Sequence, residues 1–494
     1  MKKRTAAAAV LGLVLLSSGA VGPSWAESDK KEFRGIFSLD ALPGGRMGSG
    51  DDLLVPKDGL SEPKFKVGFG ERLRFTTWDN AGTLDKRAGG ERAYTLHRTS
   101  LWGRWRPSAA LEFYIRLANE SRFDIVPKSI SKFTFHEIFL DSLYVKWRKP
   151  LGLPMTLTVG RQDLMLGEGF LVADGAPLDG MRSRYFNAVK VDFQLKADQT
   201  LSALFAYQPK SDTVLPVLND QGQRLLEEPQ TLLGIDYALG FGPKNSLEAY
   251  LLSLGTNYRE IGVLTRTEAL GGRLVFYPWE QVSVAAEAVY QFGQDLARVP
   301  FPFPYNAEGM DSRTAARSAF GGYVHADYSP EKPFPFPKTV TAGILYLSGN
   351  DPATETREDF DPFFGRWPLW SESYIFTLDI ERGTAWWSNL ASLFAAIKFD
   401  LTAKLKAGLT YHHLIAPELG GWASQPASAV GVEEGTGHVR GDLFIFRLDL
   451  SIIKNLSADL VWERFLPGNY YMKKSSGAAA DPFYFLRFEM IYAF

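Results

Sequence analysis

From Phe65 onward the chain alternates. Runs of about 8 to 13 residues place large apolar side chains at every second position and polar ones between them, then end in turn residues. Leu111, Phe113, Ile115 and Leu117 fall on one face of such a run, with Glu112, Tyr114 and Arg116 on the other. The run from Phe444 to Leu450 repeats the scheme, with Arg447 and Asp449 on its wet face. About 18 segments of this kind are predicted, starting near residues 65, 94, 110, 135, 155, 184, 200, 230, 246, 268, 281, 317, 338, 391, 404, 441, 455 and 482. Short links at 107–109, 149–154, 196–199 and 241–245 alternate with long ones at 79–93, 121–134, 162–183 and 209–229; later long links fall at 293–316, 349–390 and 414–440. A transmembrane β-barrel has short inner turns and long outer loops. The expected fold class is therefore all-β, a transmembrane antiparallel β-barrel.

The last strand supports this. Counting back from Phe494, the residues Tyr492, Met490, Phe488 and Leu486 make one lipid-facing stripe that ends on a terminal aromatic. Such a stripe resembles the closing-strand signal read by the outer-membrane assembly machinery, an expected partner along with outer-membrane lipid. Closure also follows from physics, because in lipid every backbone N–H and C=O must be bonded internally. Trp102, Trp105, Trp147, Trp279 and Trp462 lie near predicted strand ends, where an aromatic girdle or loop packing would use them. At the N-terminus, Lys2, Lys3 and Arg4 precede a short apolar stretch and Ser24-Trp25-Ala26, the pattern of a signal peptide over 1–26. A periplasmic lead-in is expected at 27–62 and the barrel at 63–494, in the cell outer membrane of a Gram-negative bacterium.

Composition narrows the function. The 494 residues contain no Cys, which removes disulfides and thiolate metal sites, and the net charge of −2 gives no reason to expect nucleic acid as a partner. Phe 35, Tyr 20 and Trp 12 coexist with a mean hydropathy of only −0.12, as expected of a wall with one apolar and one wet face. No nucleophile elbow, phosphate loop or zinc motif is present, and the adjacent His412 and His413 point to opposite faces of a strand, so no enzyme, metal or cofactor is expected.

The alternation turns Arg72, Arg74, Arg98, Arg104, Arg106, Arg116, Arg447, Arg487 and Glu489 toward the lumen, with Glu112, Asp449, Asp459 and Glu463. Two readings stay open: a lattice of Arg–carboxylate pairs that satisfies a wet lumen, or an anion-selective path. The 349–390 connection holds Arg366, Trp367, Trp370 and Arg382 among other aromatics. It reads as a saccharide track, a folded-in plug or a self-packed external loop.

Val159-Gly160-Arg161-Gln162-Asp163-Leu164, followed by Leu166-Gly167-Glu168-Gly169-Phe170 and by Arg182-Ser183, resembles the alginate export family of outer-membrane proteins. So do Glu137 through Asp141, and the stretch from Phe360-Asp361-Pro362-Phe363-Phe364 to Asn389-Leu390. The resemblance covers most of the chain from 65 to 494. It implies an 18-stranded monomeric pore that passes an anionic polysaccharide through an arginine constriction. By position Arg98 resembles one constriction arginine and Glu489 an acidic partner, with Arg72 a weaker match; His136 and Asp163 stand where the family's namesake has arginines. The function expected is an outer-membrane channel or exporter for an anionic or polar solute, an alginate-like polysaccharide among the candidates. The alternatives are a general porin of unrelated substrate or a structural sleeve around a partner protein.

Overall fold

The computed structural model describes residues 64–127, 133–173, 186–226, 228–297, 312–331, 335–365, 370–374, 376–378, 387–420 and 431–494; the expected leader at 1–26 and lead-in at 27–62 lie outside them. Eighteen long strands form the wall. In chain order they are β1 (Phe65–Asp79), β2 (Arg92–Trp105), β3 (Leu111–Val126), β4 (Phe133–Arg148), β5 (Met155–Gln162) and β6 (Phe186–Lys196). Next come β7 (Gln199–Gln208), β8 (Gln230–Phe241), β9 (Asn245–Tyr258), β10 (Val263–Trp279), β11 (Val282–Leu296) and β12 (Thr314–Tyr328). The last six are β13 (Thr339–Leu347), β14 (Leu390–Asp400), β15 (Leu405–Ile415), β16 (Val439–Ile453), β17 (Leu456–Pro467) and β18 (Phe483–Ala493).

Each strand pairs antiparallel with its successor, and β18 returns to β1 in a register running from Gly70↔Ala493 to Asp79↔Tyr484. Phe494 completes the seam by exchanging two backbone hydrogen bonds of 3.0 Å with Phe69. The ring thus leaves no open edge, the condition a sheet must meet in hydrocarbon.

The alternation separates the two faces. On β1, Phe65 and Val67 are about 60% exposed on the outside, while Arg72 and Arg74 on the inside are nearly covered. Trp105, Trp147, Trp279 and Trp462 project outward, as a girdle requires. Trp102 does not. It lies three residues from Trp105 on an alternating strand, so it faces the lumen, where it stacks near Tyr114 at 6.1 Å.

The expected loop parity fails at one place. The β9–β10 connection is only 259–262, and β10 begins at Val263 rather than near 268, because Thr256↔Thr265 and Tyr258↔Val263 keep the two strands paired past the expected loop. β5 ends at Gln162, at the start of the long link expected at 162–183, and there the chain turns inward. The upper part of β4 pairs instead with Val217–Leu218 from the β7–β8 loop.

The hydrophobic core is not under the wall. It fills the outer mouth, where Leu166, Phe170 and Leu171 of the β5–β6 loop meet Phe360, Phe363 and Phe364 of the β13–β14 loop, all at most 6% exposed. The loops therefore supply the apolar packing that a wide, wet barrel cannot.

Candidate functional site

Five of the expected pore arginines form one connected belt on the inner wall. Arg487 on β18 pairs with Asp459 of β17 and, at 2.5 Å, with Glu372 of the β13–β14 loop. Glu489 on the same strand takes Arg74 at 2.5 Å and Arg72 at 3.7 Å. Glu120 on β3 then lies 3.9 Å from Arg72 and 3.4 Å from Arg98. Asp141 on β4 joins Arg98 at 3.0 Å to Arg116 at 2.5 Å, and Arg116 reaches Asp163 at 2.8 Å. Strand pairing explains the order, since Arg72 lies opposite Arg98 and Arg98 opposite Glu120. The cations are thus interleaved with carboxylates of nearly equal number, and little bare positive charge faces the lumen.

Of the other expected residues, Arg104 and Arg106 stand apart, while Arg447 adjoins the belt, level with Arg487 across β17. Arg104 also faces the lumen, but nearer the short-turn end, beside Lys66 in the register. Arg106 and Arg148 hold Glu112 at 2.5 and 3.2 Å in the same region. Arg447 pairs with Asp449, two residues on, at 2.8 Å. Arg366, Trp367 and Arg382 lie outside the described residues.

Trp370 is described, and it stacks on His412 of β15 at 4.1 Å and meets Trp387 edge-on. The described part of this loop is folded into the barrel rather than packed on itself outside. Ser371, Glu372 and Ser373 all bond to Glu463 of β17, and Phe376 stacks on Trp78 of β1 at 4.4 Å. His413, one residue from His412, faces outward and bonds to Asp442 at 2.9 Å.

A second charged knot was not anticipated. Glu168, in the β5–β6 loop, crosses to β10 and β12, where its oxygens lie 2.8 Å from Arg273 and 3.4 Å from His325. Glu287 of β11 accepts hydrogen bonds from Tyr250 at 2.6 Å and Tyr323 at 3.0 Å. Burial pushes the Glu168 carboxyl up, but the neighbouring imidazole and guanidinium outweigh burial and hold it below the ordinary glutamate range. The sequence did carry a signal: Arg273, His325 and Asp327 alternate with small or apolar residues on wet faces, and Glu168 stands in a glycine-flanked loop.

The glycines of the family-like block have defined uses. Gly160 has φ +126°, and a side chain there would strike the Leu143 carbonyl. The next residue, Arg161, grips Asp212 of the β7–β8 loop through two bonds of 2.8 and 2.7 Å. Among the described residues no group of His, Asp and Glu is arranged to hold a metal ion.

A family model described as alginate export matches residues 64–485. No curated protein matches the sequence. Among solved structures, Pseudomonas aeruginosa OccK5 (OpdH) is similar at 12% identity and TM-score 0.52, over 87% of this chain and 98% of that one. Acinetobacter baumannii OccAB4 gives the same identity, coverage and TM-score. Pseudomonas aeruginosa OpdQ matches at 10% identity and TM-score 0.52, over 88% of this chain and 99% of that one. These likenesses are of fold: a closed outer-membrane barrel.

Proposed function

The chain belongs to the alginate export family of outer-membrane channels, and from that premise we propose that it passes an anionic solute, an alginate-like polysaccharide, along its arginine belt. The protein resides in the Gram-negative outer membrane and acts as a channel rather than an enzyme. The observation that carries the solute class is the belt itself, from Arg487 through Arg74, Arg72 and Arg98 to Arg116.

A guanidinium presents a fixed fork of donors that fits a carboxylate, and it stays charged at any working pH. The carboxylates of Glu120, Asp141 and Asp163 hold these forks when no solute is present. A uronate carboxylate is the same chemical group and can take their place one station at a time. Exchange of equivalent partners keeps each binding step weak, which conduction through many sites requires. A belt of bare arginines would trap a polyanion instead.

Planar-bilayer recording of the purified protein tests this. Anion preference in a salt gradient and block by a uronic-acid oligosaccharide are expected, both reduced in Arg98→Ala and Arg116→Ala. A current without charge preference would favour a general porin, and a folded barrel that never conducts would favour a sleeve.

A further inference from the structure

We propose that Trp102, Tyr114 and Tyr144 form a saccharide-stacking shelf at the periplasmic end of the lumen, where the rings of an acidic sugar chain first bind. This rests on the anionic-solute reading above and adds where, and by which contacts, such a solute is first held.

The three residues occupy the lumen face of β2, β3 and β4. Their chain neighbours Leu101, Ile115 and Leu143 point outward and are 56, 41 and 37% exposed. The rings run nearly parallel across adjacent strands, at 6.1 Å and 20° from Trp102 to Tyr114 and at 5.1 Å and 18° from Tyr114 to Tyr144. On the far side Trp102 lies against β1 at Gly68, where an added Cβ would sit 2.3 Å from the indole. A glycine at that point lets the indole rest on the strand backbone, so the aromatic surface spans four strands.

This surface differs from the aromatic packing at the outer mouth. There Phe170, Phe360, Phe363 and Phe364 are at most 6% exposed. Trp102, Tyr114 and Tyr144 are only half-buried, and their open surface faces the lumen. Stacked rings that keep part of their surface open to a wet passage offer an apolar face to something that enters.

Charge surrounds the shelf on both sides. Toward the short turns, which face the periplasm, Arg106 and Arg148 pair with Glu112, Lys146 lies opposite it, and Lys66 and Arg104 lie side by side in the register. Arg104 also lies opposite Tyr114 in the strand register. On the outer side Arg116, two residues beyond Tyr114, begins the belt. A small inorganic anion needs cations but no rings, and a neutral sugar needs rings but no cations. A pyranose that carries a carboxylate uses both: its C–H face lies on the aromatic surface, and its acid group reaches a lysine or arginine. The cations beside the rings at this end favour first capture on the periplasmic side.

The test compares two polyanions of matched length and charge, a uronic-acid octasaccharide and poly-glutamate, added to the short-turn side of the full-length protein in planar bilayers. On the wild type the saccharide should block with a residence time roughly ten-fold longer than poly-glutamate. The double variant Trp102→Ala/Tyr114→Ala should lose that margin while poly-glutamate block is unchanged, and Trp102→Phe/Tyr114→Phe should keep most of it. Heat-modifiable migration on gels confirms that the variants are folded barrels. The shelf is overturned if the wild type does not distinguish the two polyanions, or if the alanine variant keeps the margin or weakens both blocks equally. If neither polyanion blocks the wild type, the anionic-solute reading fails first and the shelf falls with it.

Discussion

Glu463, on wall strand β17, accepts a hydrogen bond of 3.1 Å from the amide of Ser373 and a second from its hydroxyl. The amide of Glu372 and the hydroxyl of Ser371 each add a bond of 2.8 Å. A buried wall carboxylate therefore caps the helical turn that follows Ser373, neutralising amides that a short turn cannot satisfy alone. Glu463→Ala should free this loop at a cost of about 1–3 kcal/mol. Faster proteolytic cleavage within the β13–β14 connection and a larger single-channel conductance are expected. A variant whose loop resists protease as the wild type does would show that the cap is dispensable.

The belt makes a charge prediction. Glu489 is the carboxylate that holds Arg74 at 2.5 Å, with Arg72 at 3.7 Å. Glu489→Gln keeps the shape and removes the negative charge, which costs roughly 3–5 kcal/mol for a buried pair. The expected gain is in selectivity: the reversal potential in a salt gradient should move toward the anion value. A move toward cations would count against an inward-facing, solute-accessible belt.

The two folded-in loops meet where Phe364 donates its amide to the Leu171 carbonyl at 2.9 Å. Next to it, a Cβ at Gly365 would lie 2.1 Å from the Phe170 carbonyl oxygen, an atom of rigid backbone. Gly365→Ala should therefore separate the loops without touching the wall. Normal barrel assembly, together with faster amide exchange at 170–173 and 363–365, is the outcome expected. Unchanged exchange would mean that the contact is not made in the membrane.

The wall was legible because lipid enforces its pattern. β1, β5 and β8 begin at Phe65, Met155 and Gln230, where the alternation placed them, since a one-residue slip would turn every arginine outward. The side of Trp102 was legible too, being fixed by its odd spacing from Trp105, although proximity to a strand end pointed to a girdle. The partners of the lumen charges were not. Glu168 and Arg273 lie 105 residues apart, and Arg74 and Glu489 lie 415 apart. Alternation gives a residue its face but not its height or its neighbour across the passage. For the same reason the sequence left open whether the 349–390 connection packs on itself or turns inward, and Glu463, known only as an inward acid, gave no hint that it receives that loop.

The Glu168 tether should fail with acid. Its carboxyl bridges Arg273 and lies near His325, joining the β5–β6 loop to the opposite wall. These neighbours hold it below the ordinary value of 4.5 that the undocked loop would show. A carboxyl whose docked value is depressed contributes fully above the undocked value and loses that contribution as pH falls through the docked one. The loop should therefore stay seated at neutral pH, and channel noise should rise only once the pH drops below about 4.5. Glu168→Gln removes the titrating group, so its noise should be raised at neutral pH and flat through the acid range. Bilayer recordings at stepped pH on both proteins decide the matter. An acid transition that survives in Glu168→Gln would assign the tether to another carboxyl, and a loop that loosens on raising the pH would reverse the sign argued here.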